Sequence, residues 1–158
     1  GIRSLASGLP AVCDGSADND QRGAALYGAF MCGLALATAT MGIHHKLCHV
    51  IGGTFQLPHA ETHTIILPHA THYNRDAAPE AMAAISRALN ADSAAGGIFD
   101  LARKVGAPTA LKDLGLAEEN LDRAAEIATG SPYYNPRPVN RDGVRALLDD
   151  AYHGRRPA

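Results

Sequence analysis

Apolar residues in the first third of the chain recur every three or four positions, which is the period of a helix with one apolar face. The pattern predicts one long helix from about residue 20 to about residue 51, with a stripe formed by Leu26, Phe30, Leu34, Ala37 and Met41. Asp18 or Asp20 is suited to cap its start. The Gly52–Gly53 pair is a suitable stop at its end.

The remainder of the chain also predicts helices separated by turns. Residues 1–12 predict a short first helix, and His59 to Tyr73 predict another that Pro68 should kink or split. Further helices are expected after Pro79 and within AAGGIFDLARKVG, AEENLDRAAEIA and NRDGVRALLDDAYHG, whereas SPYYNPRPVN predicts an extended loop. The last helix should turn one face inward, consisting of Val144, Leu147, Leu148 and Ala151.

The alanine-rich composition and the absence of an alternating strand pattern favour an all-α domain, a multi-helix bundle of roughly seven helices. The 158 residues suffice for one domain with its own core. Fourteen basic and 16 acidic residues give a net charge of −2, and the basic residues are scattered. This balance predicts neither a nucleic-acid partner nor attraction to an anionic membrane.

Three cysteines without CxxC spacing are typical of a reduced, cytoplasmic protein rather than a disulfide scaffold. A first residue other than Met, here Gly1, suggests a processed, engineered or excised piece. Residues 24–43 carry no charge, and an apolar run of about 20 residues can span a bilayer. More than half of this run is Ala, Gly, Thr or Cys, so we interpret it as a buried helix of a soluble protein.

Candidate chemistry is concentrated between residues 42 and 63, which hold five of the eight histidines: His44, His45, His49, His59 and His63. His45 and His49 are four residues apart, so they share one side of a helix, about 6 Å from each other. Such a pair can bind a metal or combine a ligand with an acid–base group, or it can be a hydrogen-bonded core pair. The pair lies on the apolar stripe and so points into the fold. The Gly-Gly break then reverses the chain, and a new helix starts at Pro58–His59. A third imidazole, that of His59, can therefore approach the pair from another helix.

The neighbouring polar residues have weaker claims. His63 is either a partner of the ligands or a surface or interhelical residue. His44 points about 100° away from His45 on a helix. Lys46 borders the same region and is either a contact for an anionic substrate or a solvated side chain. HAETH, residues 59–63, is not the protease pattern H-E-x-x-H, because its glutamate is displaced to another face.

The remaining candidates are expected to be structural. Cys48 is expected to be a packing residue, since only nearby histidines could lower its pKa. His69 and His72 flank Pro68 and are expected to be structural, while His153 is expected to be exposed near the end of the chain.

The spacing Gly-x-x-His-x-x-x-His-x-x-Gly occurs from Gly42 to Gly52 and is followed by Pro58–His59 and by LPH-x-x-x-YN, residues 67–74. This order of motifs resembles the helical domain of the iron-dependent alcohol dehydrogenase superfamily, which has a dehydroquinate synthase-like fold. The segments HHKLCHVIGGTFQLPHAETH and PYYNPRP are similar to sequences of its maleylacetate reductase branch. The resemblance covers nearly the whole chain.

The resemblance implies a two-domain enzyme in which an N-terminal α/β domain binds NAD(P)H. The all-α domain then supplies the metal and substrate side of the cleft, and this chain corresponds to that domain alone. His45 and His59 match two metal-ligand positions, with Fe²⁺ or Zn²⁺ as the implied ion, and His49 matches a histidine that transfers a proton. In a branch without a tightly bound metal, His45 and His59 would instead bind substrate carboxylates or relay protons.

The implied reaction is reduction of maleylacetate, a small dicarboxylate, to 3-oxoadipate during the degradation of aromatic compounds. Lys46 and His63 are the further candidates for substrate binding. Two alternatives stay open: a metal-dependent alcohol dehydrogenase of the same superfamily, and a non-catalytic helical module that binds a metal or a partner. We expect a homo-oligomer for the parent enzyme and no dehydrogenase activity for the isolated chain.

Overall fold

The computed structural model describes residues 1–158 as eight α-helices and one short 3₁₀ helix at Leu111–Leu114, which confirms the all-α prediction. The helices are α1 Ile2–Asp14, α2 Asn19–Thr38, α3 Ile43–Phe55, α4 His59–Tyr73, α5 Pro79–Leu89, α6 Ala94–Lys104, α7 Asn120–Thr129 and α8 Arg141–His153. Residues 131–140 contain no helix, as the three prolines of this segment predict.

The hydrophobic core lies between α3, α4, α7 and α8. Its fully buried side chains include Ile51, Ile66, Leu121 and Leu148. Each buried leucine or isoleucine contributes about 1.5–3 kcal/mol. The predicted inward face of the last helix is confirmed, because all four of its apolar residues are buried in α8. This core fixes α3 and α4, the two helices that carry the histidine group.

The single long helix predicted for residues 20–51 is wrong. The chain forms two helices, α2 and α3, whose axes differ by 96°. The Thr38 hydroxyl donates to the carbonyls of Leu34 and Ala35, and Ala39 then adopts an extended conformation with φ −106° and ψ 151°. The start of α3 is fixed from far along the chain, because the Ile43 N–H donates to Asn135 Oδ1 at 3.2 Å.

The expectation that residues 24–43 form a buried helix is also wrong. Helix α2 packs mainly against α1, and its large apolar side chains point outward, with Leu26 73% and Phe30 65% exposed. The two helices meet where Gly28 lies against Leu5, since a Cβ on Gly28 would lie 2.8 Å from the Leu5 backbone nitrogen. None of the helices is by itself long and apolar enough to cross a membrane; α2 and α3 meet that test only as a sharply bent pair.

Three smaller predictions on helix boundaries have different outcomes. Asp18 caps α2 in a reciprocal arrangement with Gln21, which decides between the two predicted caps. The Gly52–Gly53 pair does not end α3, which continues to Phe55. Pro68 lies inside an unbroken α4, where buried residues on both sides of it anchor the helix to its neighbours.

Asn135 joins three segments of the fold. Its amide Nδ2 donates to Asn74 Oδ1 and to the Arg137 carbonyl, each at 2.7 Å, while its Oδ1 accepts from Ile43 and from the Asn74 amide. We expect Asn135→Ala to lower the free energy of unfolding by about 1–3 kcal/mol, because these partners lose their hydrogen bonds. Urea unfolding checks this, with Asn19→Ala at the exposed start of α2 as the control. An equal effect of both substitutions would contradict the bridging role.

His69 is only 3% exposed, and its Nε2 is buried without a hydrogen-bond partner. Burial lowers its pKa from 6.5 to about 4, Asp150 opposes this shift, and His72 adds to it. The unfolded chain binds the proton on His69 more readily than the folded chain does. The fold therefore keeps its full stability above about pH 6.5, where His69 is neutral in both states, and loses stability as pH falls toward 4. Between pH 7 and pH 5 we expect a loss of about 2 kcal/mol from this residue.

Urea unfolding of His69→Gln and of the unchanged chain across this pH range measures the effect. The substitution removes the titrating group, so the acid-induced loss of stability should be smaller in the variant. His153→Gln is the matched control and should retain the original pH dependence. If the two variants share one slope, burial of His69 does not contribute to acid sensitivity.

Candidate active site

The site forms where α3 and α4 diverge from a short connection. Gln56 ends α3 in the left-handed region, with φ 57°, and thereby reverses the chain. Leu57 is anchored in the core, and Pro58 precedes the first residue of α4. This turn brings the histidines in the first half of α3 beside those in the first two turns of α4.

The structure gathers all five histidines of this segment into one cluster. The ring centroids of His45 and His49 are 6.2 Å apart, those of His45 and His63 are 5.1 Å apart, and those of His59 and His63 are 4.2 Å apart. His63 therefore lies between His45 and His59. The T-shaped ring pairs of His44 with His45 and with His63, each at 4.9 Å, complete the cluster.

The cluster has an open side and an inner side. His49 and His59 are exposed and His45 is half-buried, so these three imidazoles can be reached by a ligand. The His63 Nε2 is buried and has no hydrogen-bond partner. On the inner side, the His44 Nε2 lies 3.0 Å from the His63 carbonyl oxygen, to which it donates its proton.

Burial and mutual repulsion favour the neutral forms of His44, His45 and His63. Burial lowers the pKa of His45, and His49 and His59 lower it further. Burial, followed by repulsion from the surrounding histidines, lowers the pKa of His63 to about 4. The pKa of His44 also falls to about 4, mainly through burial. Neutral imidazoles retain the lone pairs that bind a metal or accept a proton.

Lys46 and His153 have surroundings that differ from those of the histidine cluster. The Lys46 ammonium is 5.6 Å from the centre of the Tyr133 ring, so in this arrangement its charge faces the 131–140 loop. His153 is half-buried rather than exposed, and its Nδ1 lies 3.0 Å from the Asp149 carbonyl oxygen. Neither residue belongs to the histidine cluster.

Cys48 is buried in the core, as expected for a packing residue, but its approach to two histidines was not predicted. It is 1% exposed, and burial raises the pKa of its thiol to about 12. Its sulfur and one nitrogen each of His44 and His63 lie within 4.8 Å of one another. The i, i+4 spacing of His44 and Cys48 on one helix was the available signal, equivalent to the spacing of His59 and His63.

His45 and His59 fit a metal as part of a coordination shell. They offer two imidazole nitrogens from two helices, on the reachable side of the cluster. No aspartate or glutamate joins them: the only converging group of three His, Cys, Asp or Glu ligands is His44, Cys48 and His63. Because a catalytic zinc site uses three protein ligands, the pair alone does not complete such a site.

The comparisons with known proteins agree with the fold and with the order of motifs. Residues 1–152 match the Fe-containing alcohol dehydrogenase family, C-terminal. The chain therefore belongs to the Fe-containing alcohol dehydrogenase family, and its 158 residues are a helical domain of that family.

Individual relatives include maleylacetate reductases and a protein named as an alcohol dehydrogenase. A maleylacetate reductase from Burkholderia cepacia is 50% identical over the whole chain, which spans 45% of that relative's length. A solved maleylacetate reductase from Agrobacterium tumefaciens superposes with a TM-score of 0.94 at 43% identity, covering 99% of this chain and 44% of that one. A structure from Ralstonia eutropha JMP134 that is named as an alcohol dehydrogenase has a TM-score of 0.95 at 58% identity, covering 99% of this chain and 45% of that one.

Proposed function

We propose that this domain forms the substrate side of the active site in an NAD(P)H-dependent maleylacetate reductase. The observation that carries the proposal is the convergence of His45, His49 and His59 on the open side of α3 and α4. Relatives named maleylacetate reductase, 50% and 46% identical over the full chain, support this branch of the family.

The chemistry divides between the cofactor and the histidines. Bound NAD(P)H supplies the hydride, which adds to a carbon–carbon double bond conjugated with a carbonyl of maleylacetate. Negative charge then develops on the carbonyl oxygen. His45 and His59 lie where they can bind and orient a carboxylate or that oxygen, and His49, the most accessible member of the α3 group, can donate the proton that completes reduction.

The same pair of residues can hold a metal. Iron or zinc bound by the imidazole nitrogens of His45 and His59 would polarise the substrate carbonyl. In that case His49, one helical turn beyond His45, keeps the role of proton donor. The further ligands of such an ion would come from the part of the enzyme that lies outside these 158 residues.

A chimera tests the proposed activity. Residues 1–158 replace the aligned 45% of the Burkholderia cepacia reductase, and NADH and NADPH oxidation are measured with maleylacetate. We expect saturable reduction of maleylacetate by the chimera and none by the isolated 158 residues. A folded chimera that binds the nucleotide but leaves maleylacetate unchanged would contradict the proposal.

An alcohol dehydrogenase activity is the second candidate, favoured by the similarity to the structure from Ralstonia eutropha. Both activities would use the same histidine cluster and differ in the substrate. Oxidation of simple alcohols by the chimera, without reduction of maleylacetate, would establish this candidate in place of the first. Metal analysis before and after chelation then shows whether either activity needs an ion.

The exposed apolar face of α2, formed by Leu26, Phe30 and Leu34, is proposed to contact the nucleotide-binding half of the parent enzyme. The relatives are more than twice as long as this chain, and α2 packs mainly against α1 within it. Amide hydrogen exchange should therefore be slower along α2 in the chimera than in the isolated chain. Equal exchange rates would show that the other half does not cover this face.

A further inference from the structure

The inner side of the histidine cluster has a donor set of its own. His44 and Cys48 lie one turn apart on α3, and His63 approaches them from α4. One donor atom of each residue lies within 4.8 Å of the donors of the other two. Two imidazoles and one thiol from two helices are a set that prefers soft or borderline metals.

A hydrogen bond to the backbone fixes the tautomer of His44. A carbonyl oxygen only accepts hydrogen bonds, so the contact with the His63 carbonyl places the His44 proton on Nε2. The Nδ1 of His44 therefore keeps its lone pair. Metal-bound histidines commonly donate their other N–H to a backbone carbonyl in this way, which fixes both the tautomer and the ring orientation.

His63 provides an independent indication of a ligand. Its Nε2 is buried and has no hydrogen-bond partner, although buried polar atoms normally have one. Cys48 is buried beside it and makes no disulfide. An imidazole whose Nε2 has no partner, and which lies beside a thiol and a second imidazole, is explained if a metal ion can occupy the space between the three side chains.

We propose that His44, Cys48 and His63 bind a thiophilic divalent ion, Zn²⁺ or Cd²⁺, at a site distinct from the His45–His59 pair. On binding, the Cys48 S–H bond breaks, its proton passes to solvent, and the sulfur–metal bond forms. Donor atoms around tetrahedral zinc are about 3.5 Å apart. The three donors lie within 4.8 Å of one another, so they need to approach by at most about 1 Å. Because His63 lies between His45 and His59, an ion at this site would also restrict the motion of those two side chains.

Cadmium titration of the 158-residue chain tests the site, because thiolate bound to Cd²⁺ gives an ultraviolet charge-transfer band. We expect the band to saturate at one equivalent, with one proton released. Cys48→Ser should abolish it, whereas Cys13→Ser and Cys32→Ser, matched changes in α1 and α2, should retain it. His63→Ala should weaken binding by about 10-fold or more, and circular dichroism shows whether each variant remains helical.

Several outcomes would overturn the proposal. One is the absence of a thiolate band in the folded, unchanged chain. Another is a band that survives Cys48→Ser, and a third is an unchanged affinity in His63→Ala. If Cys48→Ser fails to fold, retention of the full affinity by His44→Ala would also exclude the site. The readout needs no nucleotide or substrate, so these results do not depend on the proposed reductase activity.

Discussion

Replacing His49 by alanine in the chimera should lower the turnover number for maleylacetate reduction by about 10²- to 10⁴-fold. The reason is the position of His49, exposed one turn beyond His45 on the reachable side of the cluster. If His49 donates a proton in the transition state, its loss slows turnover without weakening substrate binding to the same degree. Steady-state kinetics that separate kcat from KM check this.

The control for this substitution is His153→Ala, which removes a histidine from the end of α8 without touching the cluster. It should leave kcat and KM close to those of the unchanged chimera. If His49→Ala raises KM while kcat is maintained, His49 binds substrate without transferring the proton. An unchanged kcat and KM would show that His49 has no part in the reaction.

Truncation of the core should have the largest effect on stability. Leu148 is fully buried in α8, within the core that supports α3 and α4. We expect Leu148→Ala to lower the free energy of unfolding by about 2–5 kcal/mol, because the lost burial is increased by the cavity that remains. Chemical denaturation of the 158-residue chain measures this value.

Leu26→Ala makes the same chemical change on α2 and is the matched control. Leu26 is 73% exposed in the isolated chain, so its truncation should change stability by about 0.5 kcal/mol or less. Equal losses for both substitutions would contradict the placement of the core between α3, α4, α7 and α8. Both experiments use the same leucine-to-alanine change, and the difference therefore reports the lost burial together with the cavity left in the core.

The sequence predicted the helices whose caps and apolar faces are local. Pro79 opens α5, Asn140 caps α8, and the inward face of α8 follows from its spacing. The grouping of His45, His49 and His59 was predictable for the same reason, since i, i+4 spacing and a short reversal bring imidazoles together. Their separate roles came only from resemblance to a family, and they stay predictions.

The bend between α2 and α3 could not be read from local pattern. The apolar stripe continues across it, and the hydrogen bond that fixes the start of α3 comes from Asn135, which is 92 residues away. The exposure of α2 could not be predicted either, because periodicity identifies an apolar face and does not show what covers it. Leu26 and Phe30 follow the same period as buried residues would.

The inner donor set was not predicted, because a single cysteine without a cysteine partner is more typical of packing than of a metal site. Its significance depends on His63, which approaches from another helix and lacks a partner for Nε2. Within one helix, the spacing of His44 and Cys48 resembles ordinary packing. Only the tertiary arrangement of α3 and α4 places the second imidazole beside the sulfur.

If the domain functions as proposed, the open side of the histidine cluster is the substrate side of a reductase active site. A crystal structure of the chimera with NAD⁺ and 3-oxoadipate would show where the product binds. We expect the dicarboxylate within hydrogen-bond distance of His49 and of at least one of His45 and His59. A product molecule bound elsewhere in the domain, such as the arginine-lined cavity beside His69, with the three histidines left uncontacted, would contradict it.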